Sequence, residues 1–276
     1  MKIFIVGLGL IGASYAEGLK LKGHQIYAYN RSTDKVLKAI EEGIVEHDNH
    51  INKLSECDLI VLSLYPKHNI EFILNHQDLF REGQMVTDVS GTKVWMMDEI
   101  EKILPKGLSY TSHHPMAGKE ISGYDAKDYR IFKGANFVLV PSRLSKQNDE
   151  NILRQIADEL AFGRILKVDA KTHDQLIAFT SQLTHVLAVA LVNTDHFNET
   201  KDATGDSYRD LTRIAKINET MWTELFLENK PALLGVIKDF QDQLKHMEDM
   251  IKHDQKEDLM TYMKKAKEKR LTFDKD

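Results

Sequence analysis

Apolar residues fall into two regimes along the chain. Up to about residue 168, short apolar runs alternate with longer segments whose apolar positions recur every three or four residues. Lys2–Val6, Gln25–Tyr29, Leu59–Leu64, Met85–Asp88, Leu108–Ser112, Phe137–Val140 and Ile165–Val168 have strand length. Between them, Ala13–Lys22, Asp34–Glu42, Asn69–Asn75, Lys93–Ile103 and Asp149–Phe162 read as helices, with Leu104-Pro105-Lys106-Gly107 as a stop signal. Leu59–Leu64 is almost continuously apolar, as expected of a strand covered on both faces of a parallel sheet. Strands alternating with helices in this way predict a doubly wound α/β domain over residues 1–168. From Asp169 onward the strand pattern stops. His173–Asn193, Ser207–Ile217, Glu219–Glu228 and Lys230–Lys269 carry helical periodicity, and Leu176, Phe179, Leu183, Leu187 and Leu191 form one apolar stripe. An all-helical domain over residues 169–276 is predicted. It is too small to bury every stripe, so packing against a second copy, as a homodimer, is expected.

The 276 residues suffice for one large or two ordinary domains, and 42% hydrophobic with 29% charged residues is ordinary globular composition. A formal net charge of −5 implies no broad basic surface and speaks against a nucleic-acid partner. The basic cluster Lys264–Arg270 reads as one face of a mixed-charge helix. The single cysteine, Cys57, excludes an internal disulfide and fits a reducing compartment. Between Glu56 and Asp58 at the entry to an apolar strand, it reads as a buried structural thiol. Lys2, an apolar run and Gly12-Ala13-Ser14 imitate a signal peptide, but the glycines suit a phosphate loop better. No later apolar run reads as long enough to span a membrane, so no membrane partner and a cytoplasmic location are expected.

The first strand runs straight into Gly7-Leu8-Gly9-Leu10-Ile11-Gly12 and then a helix. Strand, Gly-x-Gly-x-x-Gly and helix in that order are the fingerprint of a Rossmann-type dinucleotide site. Gly7 permits the tight turn, Gly9 lets the backbone approach a pyrophosphate, and Gly12 lets helix and strand pack closely. Free N–H groups at the helix start favour the phosphate charge. At the end of the second strand an acid would select NAD by bonding the ribose 2′-hydroxyl. Asn30, Arg31 and Ser32 stand there instead, which leans towards the 2′-phosphate of NADP; stacking of Arg31 on adenine is the alternative. Leu64 and Asp88, near the ends of the third and fourth strands, complete the expected cofactor lining. Thr87–Lys93 sits where a strand opens a helix, so its small residues can pass close to a nicotinamide, with Ser90 or Thr92 also serving as a helix cap.

The densest chemistry lies in Thr111-Ser112-His113-His114-Pro115-Met116-Ala117-Gly118-Lys119-Glu120, at the carboxyl edge of the sheet where ligands bind in such folds. Adjacent histidines with no cysteine or carboxylate at a zinc spacing give no reason to expect a metal.

Five blocks then stand in order: the glycine loop, Asp88-Val89-Ser90-Gly91-Thr92-Lys93, His114-Pro115-Met116-Ala117-Gly118-x-Glu120, Ser181-Gln182-Leu183-Thr184-His185, and Tyr208-Arg209-Asp210-Leu211-Thr212-Arg213. Together they resemble the prephenate dehydrogenase family of tyrosine biosynthesis, which also includes arogenate and cyclohexadienyl dehydrogenases, and the resemblance covers nearly the whole chain. It implies an NAD- or NADP-dependent oxidoreductase acting on CH–CH donors with decarboxylation. Hydride leaves the hydroxyl-bearing ring carbon of prephenate, carbon dioxide is released, and the ring becomes aromatic as 4-hydroxyphenylpyruvate forms. Aromatisation drives the reaction, so positioning and polarisation suffice without a covalent nucleophile. By this resemblance His114 is the catalytic histidine that accepts a hydrogen bond from the ring hydroxyl. Arg213 clamps a substrate carboxylate, Glu120 holds the loop or tunes access, His185 faces the cleft, and Trp222 lines the pocket. For His185 and Trp222, a place in the core is the other reading.

Ser90-Gly91 stands where many members carry Gly-Ser, so the hydroxyl assisting His114 comes from Ser90, from Thr92 or from neither. The chain begins at the first strand and ends after the helical lobe. No fused mutase or regulatory module is therefore expected, and any tyrosine feedback would act at the active site. Arogenate, with an amino group for the keto group of prephenate, is the rival substrate. A β-hydroxyacid dehydrogenase would need a lysine in His173–Asn193, which has none. A non-catalytic dinucleotide sensor is the rival from outside enzymology, and His114 with Arg213 argues against it.

Overall fold

The structure is a computed structural model that describes residues 1–119, 121 and 123–273. A first compact unit spans Met1–Asn229, and a second begins at Lys230. The first unit is built on a seven-stranded sheet: β1 (Lys2–Val6), β2 (Gln25–Tyr29), β3 (Leu59–Leu62), β4 (Met85–Asp88), β5 (Ser109–His114), β6 (Phe137–Pro141) and β7 (Ile165–Lys167), in the order β2-β1-β3-β4-β5-β6-β7. The five strands from β2 to β5 pair in parallel. The chain steps outward from β1 in one direction to β2 and in the other to β3. A crevice therefore opens between the carboxyl ends of β1 and β3, where ligands bind in doubly wound sheets.

Residues 3 to 6 of β1 alternate between two cores, because successive side chains of a strand point to opposite faces. Ile3 and Ile5 pack with Tyr15, Ala16 and Leu19 of α1 (Leu10–Leu21) and with Leu153 and Ile156 of α5 (Asp149–Glu159). Phe4 and Val6 pack with Phe72 of α3 (Pro66–Asn75) and with Met96 and Ile100 of α4 (Val94–Ile103). A further helix, α2 (Thr33–Glu41), follows β2. Cys57 is buried, with its Sγ donating to the Lys53 carbonyl at 3.2 Å, and burial pushes its pKa up to about 12.

β6 runs antiparallel to β5. The connection across 115–136 contains two 3-10 turns, Tyr124–Ala126 and Tyr129–Phe132, and no α-helix among its described residues. Without a crossover helix the chain returns along β5 instead of beside it in parallel.

Residues 170–193 form a continuous helical run: α6 (Ala170–Ile177), a π-helical turn (Ala178–Gln182) and α7 (Leu183–Asn193). This corrects the expectation that no later segment is long and apolar enough to span a membrane. An 18-residue window here has mean hydropathy 1.6, and only 28% of it is buried. The sequence breaks the run with Thr180, Ser181, Gln182 and His185, and only helical continuity through the π turn gives the full length. Phe179 and Leu191 of the apolar stripe stay exposed, while Leu183 is buried. α6 packs on α4 and β6, and α8 (Thr200–Ala203), α9 (Asp206–Thr212) and α10 (Glu219–Glu228) complete the unit.

In the second unit the segment expected as one helix is two, α11 (Lys230–Lys252) and α12 (Lys256–Leu271). Asp254 breaks the run with φ +51, and the Gln255 N–H closes the turn on the Met250 carbonyl at 2.9 Å. Aspartate is one of the few non-glycine residues that tolerates this conformation, so no glycine or proline marks the break.

Candidate active site

The glycine loop occupies the β1/β3 crevice. Gly7 adopts φ +102, and a Cβ there would lie 2.7 Å from Leu64 Cδ2. At Gly12 a Cβ would lie 2.0 Å from the Gly7 carbonyl oxygen and 2.3 Å from Ser63 Oγ. Ser63 Oγ donates to the carbonyls of Val6 (2.9 Å) and Gly7 (2.7 Å), which staples the loop to the end of β3. Gly9 has open space at its Cβ position, and as the N-cap of α1 it offers no side chain to the N–H groups behind it. Leu10 and Ile11 stand half-buried on that first turn. Bare helix-start donors beside a glycine-only cradle suit a pyrophosphate.

Leu8 is fully buried, and its N–H donates to Asn30 Oδ1 at 3.0 Å. Asn30 Nδ2 in turn donates to the Ser32 carbonyl at 3.1 Å. Asn30 thus ties the glycine loop to the end of β2, while Arg31 and Ser32 are exposed there. Sequence reasoning did not find this role; an asparagine at a strand end carries no signal for it.

The turn after β4 rests on a buried ion pair. Lys93 and Asp88 are both fully buried, with Lys93 Nζ 2.8 Å from Asp88 Oδ1 and also donating to the His113 carbonyl at 2.8 Å. Ser90 N–H donates to Asp88 Oδ1 (2.9 Å) and the Tyr110 hydroxyl to Oδ2 (2.7 Å). Burial alone would raise the Asp88 carboxyl, but the Lys93 ammonium holds it below its usual range. With both oxygens engaged, Asp88 shapes the 88–93 turn. Thr92 Oγ1 donates to Glu228 Oε2 at 2.7 Å, whereas Ser90 Oγ is buried with no hydrogen-bond partner among the described residues. Burial raises the Glu228 carboxyl above its usual range.

Strand alternation sends the two adjacent histidines of β5 to different places. His113 is fully buried, with Nε2 2.8 Å from the Tyr15 hydroxyl and Nδ1 2.7 Å from Thr87 Oγ1, and it stacks on Phe137 at 4.7 Å. Burial lowers its pKa to about 3, so it is a neutral core residue. His114 is half-buried at the strand end, and Pro115 and Met116 (φ +37) turn the chain away immediately after it. Its Nδ1 lies 3.0 Å from His173 Nε2, and His173 Nδ1 lies 2.8 Å from Asp174 Oδ1. Burial is the main cause that holds the pKa of His114 well below the ordinary histidine value and lowers that of His173. A neutral imidazole at this sheet edge is equipped to accept a proton.

His173 and Asp174 were missed in the sequence, where they read only as the start of a helix. Asp174 also accepts the N–H groups of Lys93 (2.8 Å) and Val94 (2.9 Å) and so caps α4. Asn229 Nδ2 donates to the Asp174 carbonyl and to Gln182 Oε1, both at 2.8 Å. Among the helices, His185 stacks on Trp222 at 3.7 Å and bonds the Ser181 carbonyl through Nδ1 at 2.9 Å. Ser181 lies within the π turn, an irregularity that recurs at functional sites. Arg213 is exposed on the 3-10 turn Arg213–Ala215, which packs on α7. Glu120 lies outside the described residues.

A glycine cradle at the switch point of a doubly wound sheet, and a neutral histidine at the carboxyl edge of the same sheet, define a nicotinamide-dinucleotide-dependent oxidoreductase. Residues 15–163 match the prephenate dehydrogenase nucleotide-binding domain and residues 169–265 the prephenate dehydrogenase dimerization domain, and the chain belongs to the prephenate dehydrogenase family. It is 26% identical to the prephenate dehydrogenase of Bacillus subtilis over 97% of this chain and 75% of that protein. It is 30% identical to the Lactococcus lactis prephenate dehydrogenase over 88% of this chain and 69% of that one. The prephenate dehydrogenase of A. aeolicus, solved in complex with hydroxyphenyl propionate and NAD+, superimposes with a TM-score of 0.89 at 28% identity, covering 99% of this chain and 98% of that one.

Proposed function

We propose that this chain oxidises and decarboxylates prephenate to 4-hydroxyphenylpyruvate with NAD+ or NADP+ as acceptor. The observation that carries the reading is His114, neutral and held at the end of β5 on the sheet edge that also presents the glycine loop. A bound nicotinamide supplies the hydride acceptor. The residues of the chain do the rest. The backbone from Gly7 to Gly12 receives the pyrophosphate. His114 takes the ring-hydroxyl proton as hydride departs and returns it to the phenolate oxygen once carbon dioxide has left. Arg213 pairs with a substrate carboxylate, where a planar fork is favoured over a point charge. Of Ser90 and Thr92, Ser90 Oγ is the available hydroxyl, buried and without a partner among the described residues, since Thr92 is engaged with Glu228. His185 and Trp222 form an aromatic wall, and Glu120 tunes access to the site.

The dinucleotide domain is assigned to residues 1–168 and the substrate-binding and dimerisation domain to residues 169–276. Exposed Phe179, Leu191, Leu211 and Leu227 support a homodimer whose second copy covers them. The buried, reduced Cys57 suits work in the cytoplasm. Formation of reduced nicotinamide, followed by absorbance with prephenate and arogenate, each with NAD+ and NADP+, tests the reading. Turnover with prephenate supports it, turnover with arogenate alone transfers it to that substrate, and silence in all four refutes it. Exposed Arg31 beside Ser32 favours NADP+; equal weakening of both cofactors by Arg31→Ala would remove that preference.

A further inference from the structure

We propose that His173 and Asp174 are positioning residues that fix His114 in one tautomer, with the proton on Nδ1 and the lone pair of Nε2 aimed at the substrate hydroxyl. The inference rests on the catalytic role assigned to His114 above and deepens it.

Donor accounting along the chain of contacts leads to this tautomer. Asp174 receives N–H groups on both oxygens, Lys93 N on Oδ1 and Val94 N on Oδ2. A carboxylate so held is an acceptor and has no proton to give. The 2.8 Å contact between His173 Nδ1 and Asp174 Oδ1 therefore needs the hydrogen on His173 Nδ1. A neutral His173 then has a bare Nε2, and the 3.0 Å contact with His114 Nδ1 needs the hydrogen on His114. That leaves Nε2 of His114 without a hydrogen. The opposite tautomer would set two lone pairs, or two hydrogens, against each other at the buried His173 ring, where an unmade hydrogen bond is costly.

The charged and titratable groups around the pair support a neutral relay. Lys93 arrives from the start of α4, Asp88 from β4, His113 from β5 and Asp174 from α6. The Lys93 ammonium opposes a second positive charge on His114 or His173, in the same direction as burial. α6 is itself anchored at Asp174, because Asn229 Nδ2 donates to the Asp174 carbonyl. The orienting pair therefore sits on a helix and not on a loop.

Two variants separate orientation from folding. His173→Asn keeps a donor for Asp174 near the position of Nδ1 but removes the acceptor for His114. His173→Gln sets an amide oxygen near the position of Nε2 and keeps that acceptor. We expect His173→Asn to lower kcat about 10- to 100-fold, part of the roughly 100- to 10,000-fold that a general base contributes. The KM values for prephenate and cofactor should stay within about twofold, as expected when an interaction made only in the transition state is lost. His173→Gln should recover most of kcat at a similar melting temperature. Equal losses in both variants that follow melting temperature, or wild-type kcat in His173→Asn, would overturn the proposal. Imidazole 15N chemical shifts of the wild-type protein supply a second readout that needs no variant and no turnover. A bare Nε2 on His114 supports the proposal, and a protonated Nε2 in the neutral ring refutes it. Because this reading is taken without substrate, it stands apart from whether prephenate is turned over.

Discussion

Alanine at Gly12 and alanine at Gly9 should fail in different ways, and the difference tests the assigned geometry of the glycine loop. A Cβ at Gly12 would lie 2.0 Å from the Gly7 carbonyl oxygen. Ordinary C···O contacts lie at about 3.3 Å or more, so the loop and helix must separate by more than about 1 Å. The obstacle is backbone, which no rotamer change can relieve. Overpacking of this kind costs roughly 1–3 kcal/mol, and the upper half applies here. Helix propensity returns up to about 1 kcal/mol on replacing glycine with alanine. The net loss is about 1–2 kcal/mol, or about 2–8 °C in melting temperature at roughly 2–4 °C per kcal/mol for a chain this long. Gly9 has φ −81, which alanine adopts without strain, and no heavy atom lies within 4 Å of its Cβ position. Gly9→Ala should therefore melt within about 2 °C of the wild type, since surface changes without a special feature stay within about 0.5 kcal/mol. Its methyl group would stand where the pyrophosphate approaches the backbone, so cofactor affinity should fall at least about tenfold, equivalent to about 1.4 kcal/mol. Thermal unfolding without cofactor, and calorimetric titration with NAD+ and NADP+, measure the two quantities. Unchanged cofactor affinity in Gly9→Ala, or equal stability losses in the two variants, would refute the placement of the phosphate.

Three further outcomes are expected. His113 has its pKa lowered to about 3 in the folded chain against about 6.5 unfolded, so the unfolded state binds more protons below pH 6.5. Its contribution is complete above pH 6.5 and is lost as the pH falls towards 3; at pH 5 the loss is 1.5 units at 1.36 kcal/mol each, about 2 kcal/mol. Urea unfolding from pH 7 to pH 5 should show it, and His113→Gln should flatten that slope; an unchanged slope would count against the assignment. Asp88→Ala strands the buried Lys93 ammonium and should cost roughly 3–5 kcal/mol, with the double variant Asp88→Ala/Lys93→Met regaining part of it. Equal stability of the single and double variants would show that the pair is not coupled. Arg213→Ala should raise the KM for prephenate at least about tenfold without changing cofactor affinity, the loss expected for one charge-assisted contact; an unchanged KM would move the carboxylate clamp to another residue.

What the sequence made legible was local. Lys2–Gly12 holds strand, turn and helix start in consecutive residues, and the structure keeps that order. The direction of β6 was not legible, because it depends on the absence of a crossover helix among the described residues of the 115–136 connection, and such an absence leaves no positive signal. The break at Asp254 was hidden because an aspartate performs a task more often given to glycine. Asn30 reads, with Arg31 and Ser32, as part of a lean towards the 2′-phosphate of NADP, and nothing in the sequence signals that its side chain also bonds Leu8 N and the Ser32 carbonyl. The His114–His173 contact joins residues 59 apart, and nothing in periodicity or motif spacing couples them. Burial decides what such histidines do, and burial is a property of the assembled fold.

The proposal of His114 rather than His113 as the catalytic histidine shows how little separates a core residue from a base. His113 and His114 are consecutive, have the same chemistry and sit on one strand. The pleat turns one towards Tyr15, Thr87 and Phe137, where both ring nitrogens are used, and the other towards His173, where only Nδ1 is engaged among the described residues. A one-residue slip of β5 would exchange them, and register is set by the parallel pairing of Met85 with Ser109 and Val86 with Tyr110. Lys93 reinforces that register by bonding the His113 carbonyl and Asp88 together. Asp174 caps the helix that begins beside Lys93 while also receiving His173. The groups that lock the strand, start the helix and orient the base are therefore one connected set. Substitutions at Lys93 or Asp174 should disturb stability and turnover together, whereas His173 sits at the end of the set nearest His114 and is where the two effects can be separated.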